Sequence, residues 1–265
     1  MSTPLRTRWD QDLYPDDDGE PMSDNTVQFR WIVLIKEGLE FLFRNRPDVF
    51  VAGDLLWYYE EGNPKARIAP DAMVVFGRPK IDRGSYRQWQ EEGVAPQVVF
   101  EVLSPGNRGA EMARKFRAYD ELGVAEYYVY DPDEGLLQGW LRREGRLREI
   151  IDLNDWVSPR LGIRFIPGEG PESLRIHHPD GSPFQTALEM QETAAAERER
   201  AEAAERQVQT AERQARTAER QAQTAEQRAQ AERLEKEAAE RQAQAERERA
   251  ERFAARLREL GESVD

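Results

Sequence analysis

From Gln191 to Leu260 the chain uses Ala, Glu, Arg and Gln almost exclusively, with no Gly, no Pro and Phe253 as its one aromatic. Those four residue types are compatible with little except helix, and nothing in the run can break one. Inside it AERQVQT, AERQART and AERQAQT follow one another from Ala204, Ala211 and Ala218, a period of seven. Val208, Ala215, Ala222 and Ala229 fall at one core position of the heptad, and Ala204, Ala211, Ala218 and Ala225 at the other, which is the seam of a coiled coil. Beyond Ala229 the register slips to Ala231, Leu234, Ala238 and Ala245. Alanine buries little area, so at about 25 cal/mol per Å² the seam associates weakly. The expectation is a long helix with marginal self-association; a solvated single helix or partly disordered tail is the plainer alternative.

Core-forming residues are therefore confined to the first part. All six Trp precede the run, which places a globular domain at 1–187 and the helical tail at 188–265, a division set by composition. The formal charge is -13 for the chain and about -9 for residues 1–187 alone. An acidic domain does not hold nucleic acid by a broad cationic face. With no Cys, and with His177 and His178 as the only histidines, a disulfide framework, a thiol nucleophile and a Cys/His zinc site are all excluded. Any metal must be held by oxygens. No apolar run approaches the ~20 residues that span a bilayer, and MSTPLRTRWD lacks the apolar stretch of a signal peptide. A soluble, cytoplasmic protein without a membrane partner is expected.

Local patterns predict a mixed α/β sheet. Ser23-Asp24-Asn25 offers a helix N-cap, and Val27, Ile32, Ile35, Leu39, Leu42 and Phe43 recur at helical spacing up to Asn45. Strands follow at Val49–Val51, Leu55–Tyr59, Ala69–Phe76 and Pro96–Leu103, the last ending at Ser104-Pro105-Gly106. A second helix runs from Ala110 to Leu122 with Gly123 as its C-cap, then a strand from Val124 to Tyr130. Further strands are expected at 138–140, 147–151 and 163–166, giving the order α-β-β-β-α-β-β.

Three charged residues stand out against this background. Glu101 interrupts an apolar strand, where an unpaired carboxylate costs several kcal/mol and needs compensation. Asp71 follows Pro70 at the start of the preceding apolar strand. If the two strands are neighbours, both carboxylates can converge on one Mg²⁺ or Mn²⁺, which takes oxygen ligands. Taken singly, each has a plainer reading, Asp71 as a turn residue and Glu101 as the partner of an Arg. Lys115 is notable because the chain uses 33 Arg and only five Lys. A compact ammonium can orient an attacking water and stabilise developing phosphorane charge; otherwise Lys115, Arg114 and Arg117 form one solvated helix face. Tyr119 shares the Lys115 face at i, i+4.

The runs IAPDAMVVFG, PQVVFEVLSPGNR and RKFRAYDELGVAEYYVYDPD, together with GDLLWYYEEGNP and LGIRFIPGEGPESLRI, resemble the Uma-two family of restriction endonuclease-like proteins in the PD-(D/E)XK nuclease superfamily. The resemblance covers roughly Tyr14 to Glu189. It implies a restriction endonuclease-like core followed by a long C-terminal helix, and an endonuclease hydrolysing DNA phosphodiester bonds. Pro70-Asp71 matches the family's PD, Glu101 its second acidic ligand, and Lys115 a lysine moved onto the following helix; Leu103 stands where the superfamily's E-x-K lysine would be, and Glu111 where relatives more often have aspartate. The implied metal ligands are Asp71, Glu101 and the main-chain carbonyl of Val102, with Lys115 positioning the water. Glu40, on the first helix, is a weaker candidate for a second ion. Ser104 and Asn107 follow the strand, where Ser104 could touch phosphate and Asn107 reads as a turn residue. Because the domain is acidic, DNA is expected to bind weakly and salt-sensitively through a local cluster such as Arg108, Arg114 and Arg117.

Other chemistries fit poorly. No phosphate-cradling G-x-x-x-x-G-K-[ST] or G-x-G-x-x-G is present, no G-x-S-x-G surrounds a serine, and Tyr127, Tyr128 and Tyr130 read as packing rather than a stacking platform. A reading of a different class is an idle nuclease-like domain serving as an adaptor, with the tail binding a coiled-coil partner. Whether the domain or the tail would make a homodimer is left open by the sequence.

Overall fold

Helix α1 (Thr26–Leu42) begins where a side chain can replace the missing turn: Asn25, in extended backbone, accepts the Gln28 amide at 2.8 Å, satisfying one of the free N–H groups of the first turn. Ser23 and Asp24 lie outside the described residues, which are 13–16, 25–105 and 109–259 of the computed structural model. The helix stops short of Asn45 because Phe43 leaves helical geometry and its ring is drawn onto Phe76, 5.4 Å away. Trp31, Ile32, Ile35 and Leu39 form its buried stripe. Gly38 is required on that stripe, since a methyl there would overlap the Phe184 ring.

The stripe covers one face of a six-stranded sheet. Strands β1 (Val49–Gly53), β4 (Ala72–Phe76), β6 (Val98–Val102), β7 (Glu126–Asp131), β8 (Leu136–Arg143) and β9 (Arg146–Glu149) lie in the order β1-β4-β6-β7-β8-β9. Among the described residues of this sheet only β6 and β7 pair in parallel, and helix α2 (Gly109–Glu121) lies between them in the chain. Gly123 adopts φ 86 after it, as a helix C-cap requires. Alternation along the strands sends Val74, Val98, Phe100 and Val102 into a core with α1, and Met73, Val75, Val99 and Tyr127 into a second core with Tyr119 of α2. The mixed α/β architecture expected from the pattern is therefore the one observed.

Two small sheets flank this frame. One is β3 (Arg67–Ile68), β2 (Trp57–Tyr58) and β5 (Tyr86–Arg87), the last followed by a short 3₁₀ turn at Gln88–Glu91; the other is β10 (Trp156–Val157), β11 (Arg164–Ile166) and β12 (Arg175–His177). The 55–59 run thus leaves the main sheet, and β12 was not expected, because two- and three-residue strands carry no readable period.

A buried carboxylate ties β7 to the segment around β10. Glu126 is fully buried and accepts from the Tyr128 hydroxyl (2.9 Å), the Arg160 amide (2.7 Å) and the Ser158 hydroxyl. Glu126→Ala strands two buried hydroxyls and a partly buried amide and is expected to cost about 3 kcal/mol in urea denaturation. A loss below about 1 kcal/mol contradicts this network.

His178 packs between the rings of Phe41 (5.2 Å) and Phe184 (4.4 Å). Burial, with help from Arg44 and His177 and against Asp180, holds its imidazole below the ordinary value of 6.5. Its contribution to stability is present above the unfolded pKa and lost as pH falls through the folded one. Melting temperature is expected to drop as pH falls below about 6.5, and to drop less in His178→Gln.

The chain divides into two compact units, Met1–Gln191 and Glu192–Asp265. Helix α3 (Ala187–Glu259) opens on a capping box: Thr186 Oγ1 accepts the Glu189 amide (3.3 Å), and Glu189 returns a carboxylate oxygen to the Thr186 amide (2.8 Å). In the second unit the hydroxyls of Thr210, Thr217 and Thr224 donate to carbonyls four residues back, repeating the heptad. Val208 of the heptad seam is 59% exposed. No helix among the described residues is long and apolar enough to cross a membrane.

Candidate active site

Strands β4 and β6 are antiparallel neighbours with Ala72 opposite Phe100. One residue further along that register, Asp71 faces Glu101. Directly opposed residues point to the same side of a sheet, and here it is the side covered by α2. Proline at position 70 ends the preceding segment, so Asp71 stands at the mouth of β4 rather than inside it. Both carboxylates are buried, at 8% and 3% exposure.

Helix α2 delivers two donors to the same carboxylate. Lys115 Nζ donates to Glu101 Oε2 (2.7 Å) and to the Ala69 carbonyl (3.2 Å), while the Tyr119 hydroxyl donates to Glu101 Oε1 (2.5 Å). Their i, i+4 spacing is what lets one helix reach both oxygens. Asp71 Oδ2 accepts the backbone amide of Val102 at 2.6 Å. The Val102 carbonyl, an expected metal ligand, accepts from Gln28 Nε2 of α1 at 2.8 Å.

The electrostatics follow from burial and crowding. Burial first, then the Glu101 charge, pushes the Asp71 carboxyl well above the usual carboxylate range, with Lys115 and the Val102 amide pulling it back. Burial works against the Lys115 ammonium, yet Glu101 and Asp71 outweigh it and hold its pKa above the ordinary lysine value. Tyr119 is held well above the usual phenol range by burial and by Glu101. One lysine between two carboxylates leaves the pocket formally anionic.

That donor set fits a hard divalent cation. Among the described residues no three of His, Cys, Asp and Glu group together as a metal cage. Mg²⁺ is commonly bound through one or two carboxylates, with water and phosphate oxygens completing its shell. The two acids and the Val102 carbonyl supply oxygens of this kind.

Of the other expected residues, Ser104 is buried at the end of β6, and Arg114 and Arg117 are exposed on α2. Asn107 and Arg108 lie outside the described residues. Glu40 pairs with Lys36 at 3.0 Å and lines a cleft of about 700 Å³ along β1 with Lys36, Phe50 and Arg83. The residue of α1 that reaches the site is instead Gln28, whose only signal was a polar side chain on an apolar stripe one turn after the cap. Tyr127 and Tyr128 pack in the two cores, as expected of them.

No curated protein matches the chain. Among solved structures it is similar to a crystal structure from Anabaena variabilis ATCC 29413 described as "a putative nuclease belonging to DUF820", at 13% identity and a TM-score of 0.40, covering 54% of this chain and 78% of that one. Residues 21–165, more than half of the chain, match the Uma2 family, described as "Putative restriction endonuclease". The chain belongs to the Uma2 family.

Proposed function

We propose that this chain is a Mg²⁺- or Mn²⁺-dependent endonuclease that hydrolyses DNA phosphodiester bonds. The observation that carries the reading is the placement of Asp71 opposite Glu101 with Lys115 bonded between the strands and the helix. Asp71, Glu101 and the Val102 carbonyl would hold the ion, the carbonyl sharing its lone pairs with Gln28. The ion supplies a water of lowered pKa and neutralises charge on the phosphate.

The chain's own residues do the rest. Lys115 has three N–H donors, of which Glu101 and the Ala69 carbonyl take two. The third can orient the attacking water or a phosphate oxygen. Because its carboxylate neighbours hold Lys115 charged, it serves as donor and electrostatic stabiliser, not as base. Arg114 and Arg117, exposed on the same helix, would meet flanking phosphates, and that contact should weaken steeply with salt.

The test is incubation with single- and double-stranded DNA in Mn²⁺. Cleavage by the wild type that disappears in Asp71→Asn supports the reading. No cleavage by the wild type, or equal cleavage by both, refutes it, and the first result favours the adaptor.

A further inference from the structure

The same sheet holds two buried Tyr–Glu pairs on opposite faces, and they differ in a way that points to use. Glu126, paired with Tyr128, is surrounded by three neutral donors and carries no cation. It accepts three hydrogen bonds and its exposure is nil. Glu101, paired with Tyr119, receives one neutral hydroxyl and one ammonium, each on a separate oxygen, and faces a second acid. Glu101 thus shares its pocket with a second acid, Asp71.

Tyr119 is itself fully buried and tightly fixed. Its ring lies 5.0 Å from that of Tyr127 and stacks on Trp57 at 6.4 Å and 7°. Its hydroxyl therefore cannot follow the carboxylate if the carboxylate turns. The Tyr127 hydroxyl, on the same face, is buried with no hydrogen-bond partner among the described residues, so it offers Glu101 no substitute contact. Lys115, by contrast, reaches Glu101 on a flexible four-carbon stem, with its side chain 14% exposed. Of the two donors, the tyrosine is the one whose ring is fixed by aromatic packing.

We infer that Tyr119 is a positioning residue: it holds Glu101 in the orientation that presents its free lone pairs beside Asp71 to a divalent cation. The inference rests on the proposed metal site and adds a group that acts through Glu101. A carboxylate has about four acceptor sites, so the Tyr119 and Lys115 bonds leave capacity for a cation on each oxygen. Partners that orient a ligand typically contribute 10–100-fold to metal affinity.

The experiment is calorimetric titration of Mn²⁺ into the wild type, Tyr119→Phe and Tyr128→Phe, with the melting temperature of each. Each variant deletes one hydroxyl bonded to a buried glutamate, so a structural role alone lowers both melting temperatures and leaves affinity alone. Tyr119→Phe is expected to weaken Mn²⁺ binding about tenfold, with Tyr128→Phe within about twofold of wild type. Wild-type affinity in Tyr119→Phe overturns the inference while the metal site stands. A wild type that binds no Mn²⁺ overturns the metal site and the inference with it. Should Tyr119→Phe not fold, the wild type gives the answer: a tyrosine hydroxyl proton bonded to carboxylate resonates far downfield by NMR and must shift on adding Mg²⁺. A resonance unmoved by saturating Mg²⁺ also overturns the inference.

Discussion

Glu101→Ala is expected to lower stability by about 3–5 kcal/mol in urea denaturation, because it leaves the largely buried Lys115 ammonium without its carboxylate. The Lys115 side chain is only 14% exposed and its closest charged partner is Glu101, at 2.7 Å. Removing one member of such a pair costs more than removing both. The double variant Glu101→Leu with Lys115→Met should accordingly recover most of the loss, while remaining inactive. If the single and double variants are equally unstable, Lys115 is not held by Glu101 as the structure has it. This behaviour separates the pair from surface ion pairs such as Arg46–Asp48, which are exposed and contribute little.

Lys115→Met should slow DNA cleavage about 10²–10³-fold, the usual loss when one preorganised donor to developing charge is removed. Mn²⁺ affinity should stay the same or rise in that variant, since the methionine no longer competes as a cation for Asp71 and Glu101. The two readouts move in different directions for a physical reason. On the proposed reading, Lys115 would neutralise the carboxylates without the ion and serve the phosphate when the ion is bound. Loss of both metal binding and cleavage would instead make Lys115 a prop for the carboxylates. Unchanged cleavage would remove it from the chemistry.

Much of this site is legible in the sequence. Glu101 announced itself as a charge inside an apolar strand, and Asp71 as an acid at the mouth of the strand before it. Their convergence needed only that the two strands be neighbours, which β4 and β6 are. Lys115 stood out through composition, because arginine does nearly all the cationic work elsewhere. The helices were legible for similar reasons, α1 through its cap at Asn25 and α2 through Gly123.

What the sequence hid was contact between residues far apart in the chain. Gln28 and Val102 are separated by 74 positions, and nothing local marks either as the other's partner. Glu126 reads as an ordinary strand residue until Ser158 and Arg160 close over it. The short strands β3, β5 and β10 escaped because two residues define no period, and β2, inside the expected 55–59 strand, belongs to a separate small sheet. Tyr119 was placed on the right helix face by its spacing from Lys115, but spacing does not distinguish a ring that packs from a hydroxyl that donates.

The central claim is that Asp71 and Glu101 form one cation site, and its most direct test is calorimetric titration of Mn²⁺ into wild type, Asp71→Asn and Glu101→Gln. Both substitutions nearly keep side-chain volume while removing the charge and replacing one acceptor oxygen with an NH2 donor. The account predicts saturable binding to the wild type and loss of that binding in each variant, with the three proteins folded alike by circular dichroism. Equal Mn²⁺ binding by all three would contradict it.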